Sequence, residues 1–322
     1  MNYGKKGVRA KQKALNSKSQ KWGRKLALTC VKIMLAAVVG IGICGVAAGI
    51  GVFRGILSST PTIRLSDVVA VGEATIVYDK EGNEIDQYVS TNSNRLSVGM
   101  DEIPDYMGKA FVAIEDERFY QHNGIDVKGI LRAGYQFIKT GGEEAQGAST
   151  ITQQLLKNTV FTDWTSEGNN KIKKIKRKIQ EQYLALEITK YYSKDEILLR
   201  YMNAINLGQN TLGVESASLR YFGKHCSDLT LSECAVIASI TQNPSKYNPI
   251  RHPEDNAVRR EKCLNKMLEL GFVSQSEYDE AMADTDAVYE RIGLYDIDYQ
   301  EANATTGSYF SDAVYEQVKQ DL

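Results

Sequence analysis

The stretch AFVAIEDERFYQHNGID, residues 110–126, decides how this chain is read. A short apolar run delivers Glu115, Asp116, Glu117 and Arg118 directly against Phe119 and Tyr120, and His122 and Gly124 follow in a turn. Read as a helix, AFVAIEDERFY buries Phe111, Ile114 and Phe119 and sets Glu115 beside the apolar stripe. A carboxylate at the edge of a core is partly desolvated, which suits it to general-base work. Surface charges that pair locally are the commoner arrangement for Glu115, Glu117 and Arg118. The surrounding sequence has to discriminate.

The 322 residues are 43% hydrophobic, enough for one or two cored domains. The net charge of −1 conceals a polarity: residues 1–32 carry ten Lys or Arg and no acid, leaving 29 basic against 40 acidic groups in the other 290. Residues 33–53, IMLAAVVGIGICGVAAGIGVF, are 21 in a row without a charge, which matches a hydrocarbon core of about 30 Å. The run is longer than the apolar segment of a cleaved signal, about 7–15 residues. It reads as a single-pass anchor, and its basic flank predicts a cytoplasmic N-terminus with the rest of the chain outside the cytoplasm. A basic tail leading into such a span points to a membrane and away from nucleic acid. Cys226, Cys234 and Cys263 beyond the span are odd in number and widely spaced, so no disulfide frame is expected, and Cys234 in an apolar helical pattern reads as a buried thiol. His225 beside Cys226 lacks the CxxC or HExxH company of a metal site.

Residues 73–90, EATIVYDKEGNEIDQYVS, read as a short β-hairpin, with TIVY and EIDQYV around DKEGN. Beyond residue 100 the pattern is helical. Capping boxes pair Ser193 with Glu196, Thr230 with Glu233 and Ser274 with Glu277. Pro244, Pro249 and Pro253 read as closing the helix that starts near Thr230. The residues from about 288 look less regular and end in SYFSDAVYEQVKQDL, a helical pattern. The resulting organisation is a basic cytoplasmic tail (1–32), a transmembrane anchor (33–53), a linker with the hairpin (54–100), a mainly α domain (101–285) and a linker toward a C-terminal domain absent from this chain (286–322).

Two further stretches carry chemistry. In QGASTITQQLLKN, residues 146–158, small hydroxyls and free backbone amides at a helix start would form an anion cradle. With a start near Ser149, Gln153 and Lys157 share its face, and Gln154 lies alongside. In NKIKKIKRKIQEQYLALEI, residues 170–188, Ile172, Ile175, Ile179 and Leu186 are expected to mark the buried face of a long helix. Six of residues 171–178 are Lys or Arg, and Arg177 and Glu181 are neighbours one turn apart. In an acidic ectodomain this cluster is the dominant positive field, suited to a phosphorylated partner or anionic lipid. Ser90-Thr91-Asn92 and Lys139-Thr140-Gly141 imitate two penicillin-recognising motifs, but no S-x-x-K nucleophile occurs anywhere, so they are coincidence.

Taken in order, these stretches resemble glycosyltransferase family 51, the peptidoglycan transglycosylase domain of class A penicillin-binding proteins. The resemblance spans about residues 100–250. EDERFYQHNGID is similar to the first family motif, GASTITQQLLKN to the second, RKIQE to the third, KDEILLRYMN to the fourth, and LGVESASLRYFGK with LTLSECAVIASITQNPSKYNP to the fifth. Ala148 stands where glycine is usual, and Leu199 and Met202 replace the glutamate and leucine of the fourth motif. The resemblance implies a lysozyme-like, mainly α transglycosylase domain behind the transmembrane helix and hairpin. It implies polymerisation of lipid II with inversion and release of undecaprenyl pyrophosphate. Glu115 would be the base; Lys157, Arg177 and Lys178, with Ser149, Gln153 and Gln154 as donors, would hold the pyrophosphate. Glu181 would orient the cations or hold a divalent ion such as Mg, and no covalent cofactor is implied. Asp116, Phe119, His122 and Gly124 would support the site. Implied partners are lipid II, the growing glycan, the membrane and cell-wall synthesis proteins. Residues 130–140, ILRAGYQFIKT, would either dip into the membrane interface or form a plain core helix. The competing readings are a lysozyme-like glycan-cleaving enzyme, which has no need of a phosphate clamp, and a catalytically silent scaffold that binds lipid II.

Overall fold

The computed structural model of the chain describes residues 4–15, 18–69, 72, 75–78, 80–82, 84–88, 95–140, 147–168, 170–305, 317, 318 and 320. Ser90-Thr91-Asn92, Gly141 and most of SYFSDAVYEQVKQDL lie outside these residues. Internal contacts divide the chain into two units, residues 1–60 and 61–322.

The first unit is helix α1 (Lys5–Leu15) and helix α2 (Lys18–Ser58). No proline occurs between residues 18 and 58, so the helix runs past the uncharged stretch 33–53 at both ends and stops just before Pro61. Its 41 residues span about 60 Å, twice the thickness of a hydrocarbon core. Within it, Trp22–Ser58 is long and apolar enough to cross a membrane by length and composition.

The second unit opens with strands β1 (Thr75–Tyr78) and β2 (Glu84–Tyr88), paired antiparallel with Thr75 opposite Tyr88. Helices follow: α3 (Asp105–Glu115), α4 (Val127–Lys139), α5 (Ile151–Thr159), α6 (Lys171–Ile188), α7 (Lys194–Ala204), α8 (Val214–Phe222), α9 (Leu231–Ser239), α10 (Pro253–Glu269), α11 (Gln275–Ala283) and α12 (Thr285–Thr305). The three expected capping boxes start α7, α9 and α11, each with the Ser or Thr side chain accepting from the glutamate amide three residues on. Such a cap typically contributes about 1 kcal/mol.

α9 is buried along its whole length, because α3 and α10 pack against it. Phe111 of α3 meets Tyr201 of α7 edge-on, with ring centroids 5.6 Å apart and planes at 88°. These contacts pin the last turn of α3, and with it Glu115. Cys226, Cys234 and Cys263 are free and buried, and burial pushes the Cys263 thiol up to about 12.

Four expectations need correction. Pro253 does not close a helix: α9 stops at Ser239, and Pro253 opens α10 at a position where a missing N–H costs nothing. The residues from 288 are regular to 305, because Val288 and Ile292 of α12 are buried against Val236 of α9. The fully buried Arg260 ties this corner together, donating to Ser232 Oγ and Thr285 Oγ1, both at 2.9 Å, and to the Ala281 carbonyl. α4 is no core helix, since Gly129 is its only buried residue, while Leu131, Tyr135, Phe137 and Ile138 are exposed. Finally, α6 buries Gln180, Glu181, Leu184, Ala185 and Ile188 and turns the isoleucine stripe outward, with Ile172 80% and Ile175 59% exposed. The face carrying Ala185 can come closest to the turn after α3. A Cβ on Gly124 would sit 2.3 Å from the Ala185 carbonyl oxygen.

Candidate active site

Helix α3 ends on Glu115, and the next residue leaves the helix at φ −156°, ψ 70°. That turn sends two adjacent carboxylates in different directions. Asp116 points inward, where its Oδ2 accepts from the Ile151 amide at 3.0 Å. The His122 Nε2 lies 2.9 and 3.0 Å from its two oxygens. His122 Nδ1 accepts from the Gly124 amide at 3.2 Å, so the ring hydrogen sits on Nε2 and is donated to Asp116. Phe119 is buried and stacks edge-on against His122, 6.3 Å between centroids. Gly124 has φ +90°, a left-handed conformation that glycine adopts freely. Asp116, Phe119, His122 and Gly124 thus form the support beneath the site.

Helix α5 begins at Ile151 rather than near Ser149. Thr150 is its cap, accepting from the Gln153 amide at 3.2 Å and donating to the Gly124 carbonyl at 2.7 Å. The amides of Ile151 and Gln153 are therefore already satisfied by Asp116 and Thr150. The expected cradle of free backbone amides is replaced by side chains.

Glu115 faces a cleft of about 500 Å³. Its Oε1 accepts from Thr241 Oγ1 at 2.5 Å and from Arg259 Nη2 at 2.8 Å, and its Oε2 accepts from Gln154 Nε2 at 2.9 Å. Tyr201 donates to the other end of the Gln154 amide at 3.3 Å, which fixes its orientation. Each carboxylate oxygen has two lone pairs, so Oε2 keeps one that no described residue occupies.

Across the cleft stands a cationic wall. Lys178 Nζ donates to Ser149 Oγ and to Glu181 Oε2, both at 2.8 Å. Arg177 binds Glu181 Oε1 through Nη1 and Glu167 Oε1 through Nε, the latter at 2.9 Å. Burial works against the charge on Arg177, but Glu167 and Glu181 outweigh it and raise its pKa. Lys157 Nζ sits 3.6 Å above the Trp164 ring. Burial first, then repulsion from Arg177, lowers its pKa below the usual lysine range. Gln153 lines the cleft and is buried, and its amide nitrogen has no partner among the described residues. Ser149, Gln153, Gln154, Lys157, Arg177 and Lys178 all line the same cleft as Glu115, whereas Glu181 lies fully buried behind the wall.

Seven cationic side chains line the cleft. Its three carboxylates, with Glu167 and Glu181 behind, leave a positive excess among the described residues, suited to a polyanion. Arg132, Arg259, Lys262, Lys266, Thr241 and Gln242 also line the cleft and were not foreseen. Arg259, Lys262 and Lys266 recur at i, i+3 and i+7 along α10, a stripe that a period-3.6 scan of charges would have found.

Glu181 does not fit a divalent cation. A hard ion needs a shell of oxygens, and both Glu181 oxygens already face a guanidinium and an ammonium.

The sequence matches the family described as Transglycosylase over residues 81–268. Penicillin-binding protein 1A of Clostridium botulinum is 38% identical over 308 residues, 93% of this chain and 36% of the relative. Penicillin-binding protein 1F of Bacillus subtilis is 41% identical over 201 residues, 62% of this chain and 27% of the relative. The chain therefore spans about a third of the length of the curated relatives it matches. Among solved structures, penicillin-binding protein 1A from Haemophilus influenzae aligns at a TM-score of 0.36 and 23% identity over 66% of this chain and 21% of that one, too loosely to argue from. The family match covers more than half of the chain, residues of the first, second, third and fifth motifs line the cleft just described, and Tyr201 of the fourth bonds to Gln154 there: the chain belongs to the transglycosylase family, glycosyltransferase family 51.

Proposed function

We propose that this chain is a peptidoglycan glycosyltransferase that polymerises lipid II. The observation that carries the reading is one cleft with a carboxylate on one side and a cationic wall on the other. The acceptor sugar's 4-hydroxyl attacks the anomeric carbon of the growing chain from the face opposite the pyrophosphate. The C–O bond to the lipid pyrophosphate breaks, and its electron pair leaves with the phosphate oxygen. The free lone pair of Glu115 Oε2 takes the hydroxyl proton, while Arg259, Thr241 and Gln154 hold the carboxylate still. A positioned base typically contributes about 10²–10⁴-fold. Lys157, Lys178 and Arg177, with Ser149 and the side-chain amide nitrogen of Gln153, compensate the leaving charge. Charge-assisted contacts are worth about 1.5–3 kcal/mol each, so the wall matters as much as the base. Glu181 fixes Arg177 and Lys178 in place, and no step needs a metal there.

In this reading α2 crosses the bilayer with the basic tail in the cytoplasm and the catalytic unit outside, and the exposed apolar face of α4 meets the membrane interface where lipid-linked substrate is collected. The test uses detergent-solubilised protein with labelled lipid II and products resolved by gel, beside Glu115→Gln. Glycan ladders from the parent and none from the variant are expected. A folded parent that binds lipid II without making ladders would point to a scaffold, and cleavage of preformed glycan would point to a hydrolase.

A further inference from the structure

Lys194 stands at the first helical position of α7, where the positive end of the helix dipole opposes a cation. The two carboxylates that follow it are engaged elsewhere. Asp195 accepts from the Tyr120 hydroxyl at 3.0 Å, and Glu196 accepts from the Ser193 amide and hydroxyl, both at 2.8 Å. The Lys194 ammonium nitrogen is buried, with no hydrogen-bond partner among the described residues. It lies 4.3 Å from the centre of the Phe119 ring. Burial lowers its pKa, and the one charge that works the other way is Asp116. A cation over an aromatic face gains from the ring quadrupole, but a ring alone does not replace the water that a buried ammonium has lost. Asp116 has the converse problem. It is buried, and it accepts from the Ile151 amide and from His122 Nε2. Neither donor is a cation, because His122 Nδ1 accepts from the Gly124 amide and a ring that accepts there carries a single hydrogen. The nearby guanidiniums face other carboxylates: Arg118 is paired with Glu117 and Asp126, and Arg259 with Glu115. Phe119 links the two stranded charges, taking Lys194 over its face and meeting His122 at 79°.

We propose that Lys194 is a positioning residue for the site: its charge, acting across Phe119, keeps a second proton off His122 and so preserves the turn on which α5 is docked. Without that cation the field of the Asp116 carboxylate is uncompensated and draws a proton to the neighbouring ring. Asp126, the other carboxylate that acts on His122, pulls in the same direction and is held back only by Arg118. A second ring proton would sit on Nδ1 and displace the Gly124 amide. The Gly124 carbonyl holds the Thr150 hydroxyl and Asp116 holds the Ile151 amide, so the turn and the start of α5 move together. α5 in turn brings Gln153, Gln154 and Lys157 to the cleft, and Gln154 orients the Glu115 carboxylate. The kinetic consequence rests on the glycosyltransferase reading, whereas the state of His122 does not.

The chain has three histidines, so the full-length protein in detergent, labelled with nitrogen-15 at histidine alone, presents three rings to follow by nuclear magnetic resonance. His225→Gln and His252→Gln identify the His122 signals by elimination. In the parent at about pH 8, His122 should show the neutral pattern with its hydrogen on Nε2. Lys194→Met keeps the length and apolar stem but not the charge, and in it the His122 imidazolium should persist to a pH roughly one unit higher than in the parent. Lys194→Arg should follow the parent. His225, exposed and bonded to Glu215, is the internal reference and should titrate alike in all three proteins. With labelled lipid II, Lys194→Met should lose kcat severalfold against the parent at about pH 6 and recover toward it at about pH 8. KM should change less, and Lys194→Arg should stay near the parent throughout. Coincident His122 titrations in the parent and Lys194→Met overturn the proposal, as does an imidazolium in the parent at about pH 8. A loss of rate that is the same at every pH, or that Lys194→Arg shares, marks a packing role alone and overturns it too. If Lys194→Met does not fold, Lys194→Gln is titrated in its place with the same outcomes. A parent that makes no glycan would sink the glycosyltransferase reading and leave the His122 comparison to decide this one.

Discussion

Glu181→Gln tests the cationic wall most directly. In the parent this carboxylate is fully buried, with Arg177 on one oxygen and Lys178 on the other. Removing one partner of a buried ion pair costs about 3–5 kcal/mol, because the remaining charge is stranded. Here the cost is reduced. The Lys178 side chain is 41% exposed and water screens it, while Arg177 keeps Glu167. A loss of about 2–3 kcal/mol remains, which for a unit of this size lowers Tm by roughly 5–10 °C. The assay is thermal unfolding of detergent-solubilised protein followed by near-ultraviolet circular dichroism. Glu187→Gln, which removes only the solvent-facing partner of Lys190, is the control and should shift Tm by about 2 °C or less. Inorganic pyrophosphate should then stabilise Glu181→Gln more than the parent, because it supplies the anion that the two cations have lost. An unchanged Tm, or equal stabilisation of both proteins by pyrophosphate, would refute the view that Glu181 holds the wall together.

Three other substitutions probe the site and its support. Lys157 has a lowered pKa, so its charge is lost as pH rises through a value below the ordinary lysine range. The Michaelis constant for lipid II should climb on that alkaline limb, and Lys157→Arg should move the climb to higher pH. Folding shows the opposite trend, since the protonated lysine is disfavoured in the folded state and its penalty disappears as pH rises through the same window. Gly124→Ala combines φ +90° with a Cβ 2.3 Å from the Ala185 carbonyl, and a loss of more than about 2 kcal/mol in urea unfolding is expected. Thr150→Val strands the Gln153 amide and the Gly124 carbonyl. It should cost about 1–2 kcal/mol of stability by the same measurement.

Much of the site was legible because its residues come in local sets. Glu115 and Asp116 are adjacent, Gln153, Gln154 and Lys157 share one short helix, and Arg177, Lys178 and Glu181 share one turn. Each set has a spacing that a helix converts directly into a common face. Arg259 was not legible, since it reaches Glu115 across 144 residues of chain and looks locally like any arginine on an amphipathic helix. The anion cradle was misread for a related reason. A helix start has free amides only until something fills them, and the Asp116 carboxylate that does so lies 35 residues away.

By itself the sequence determined what depends on neighbours within one helical turn or on a single long stretch. These are the three capping boxes, the apolar length of α2, the pairing of Asp116 with His122, and the local grouping of the carboxylates and of the cationic residues that meet in the cleft. Tertiary structure alone decided which face of each helix is inside. The isoleucine stripe of α6 has every local mark of a buried face, yet Glu181 and Ala185 take that place. A carboxylate can be buried when two cations meet it, and a small residue admits the Gly124 turn where an isoleucine would collide. Hydrophobic periodicity reports that a helix has an apolar side. Which surface covers that side depends on packing partners distant in sequence.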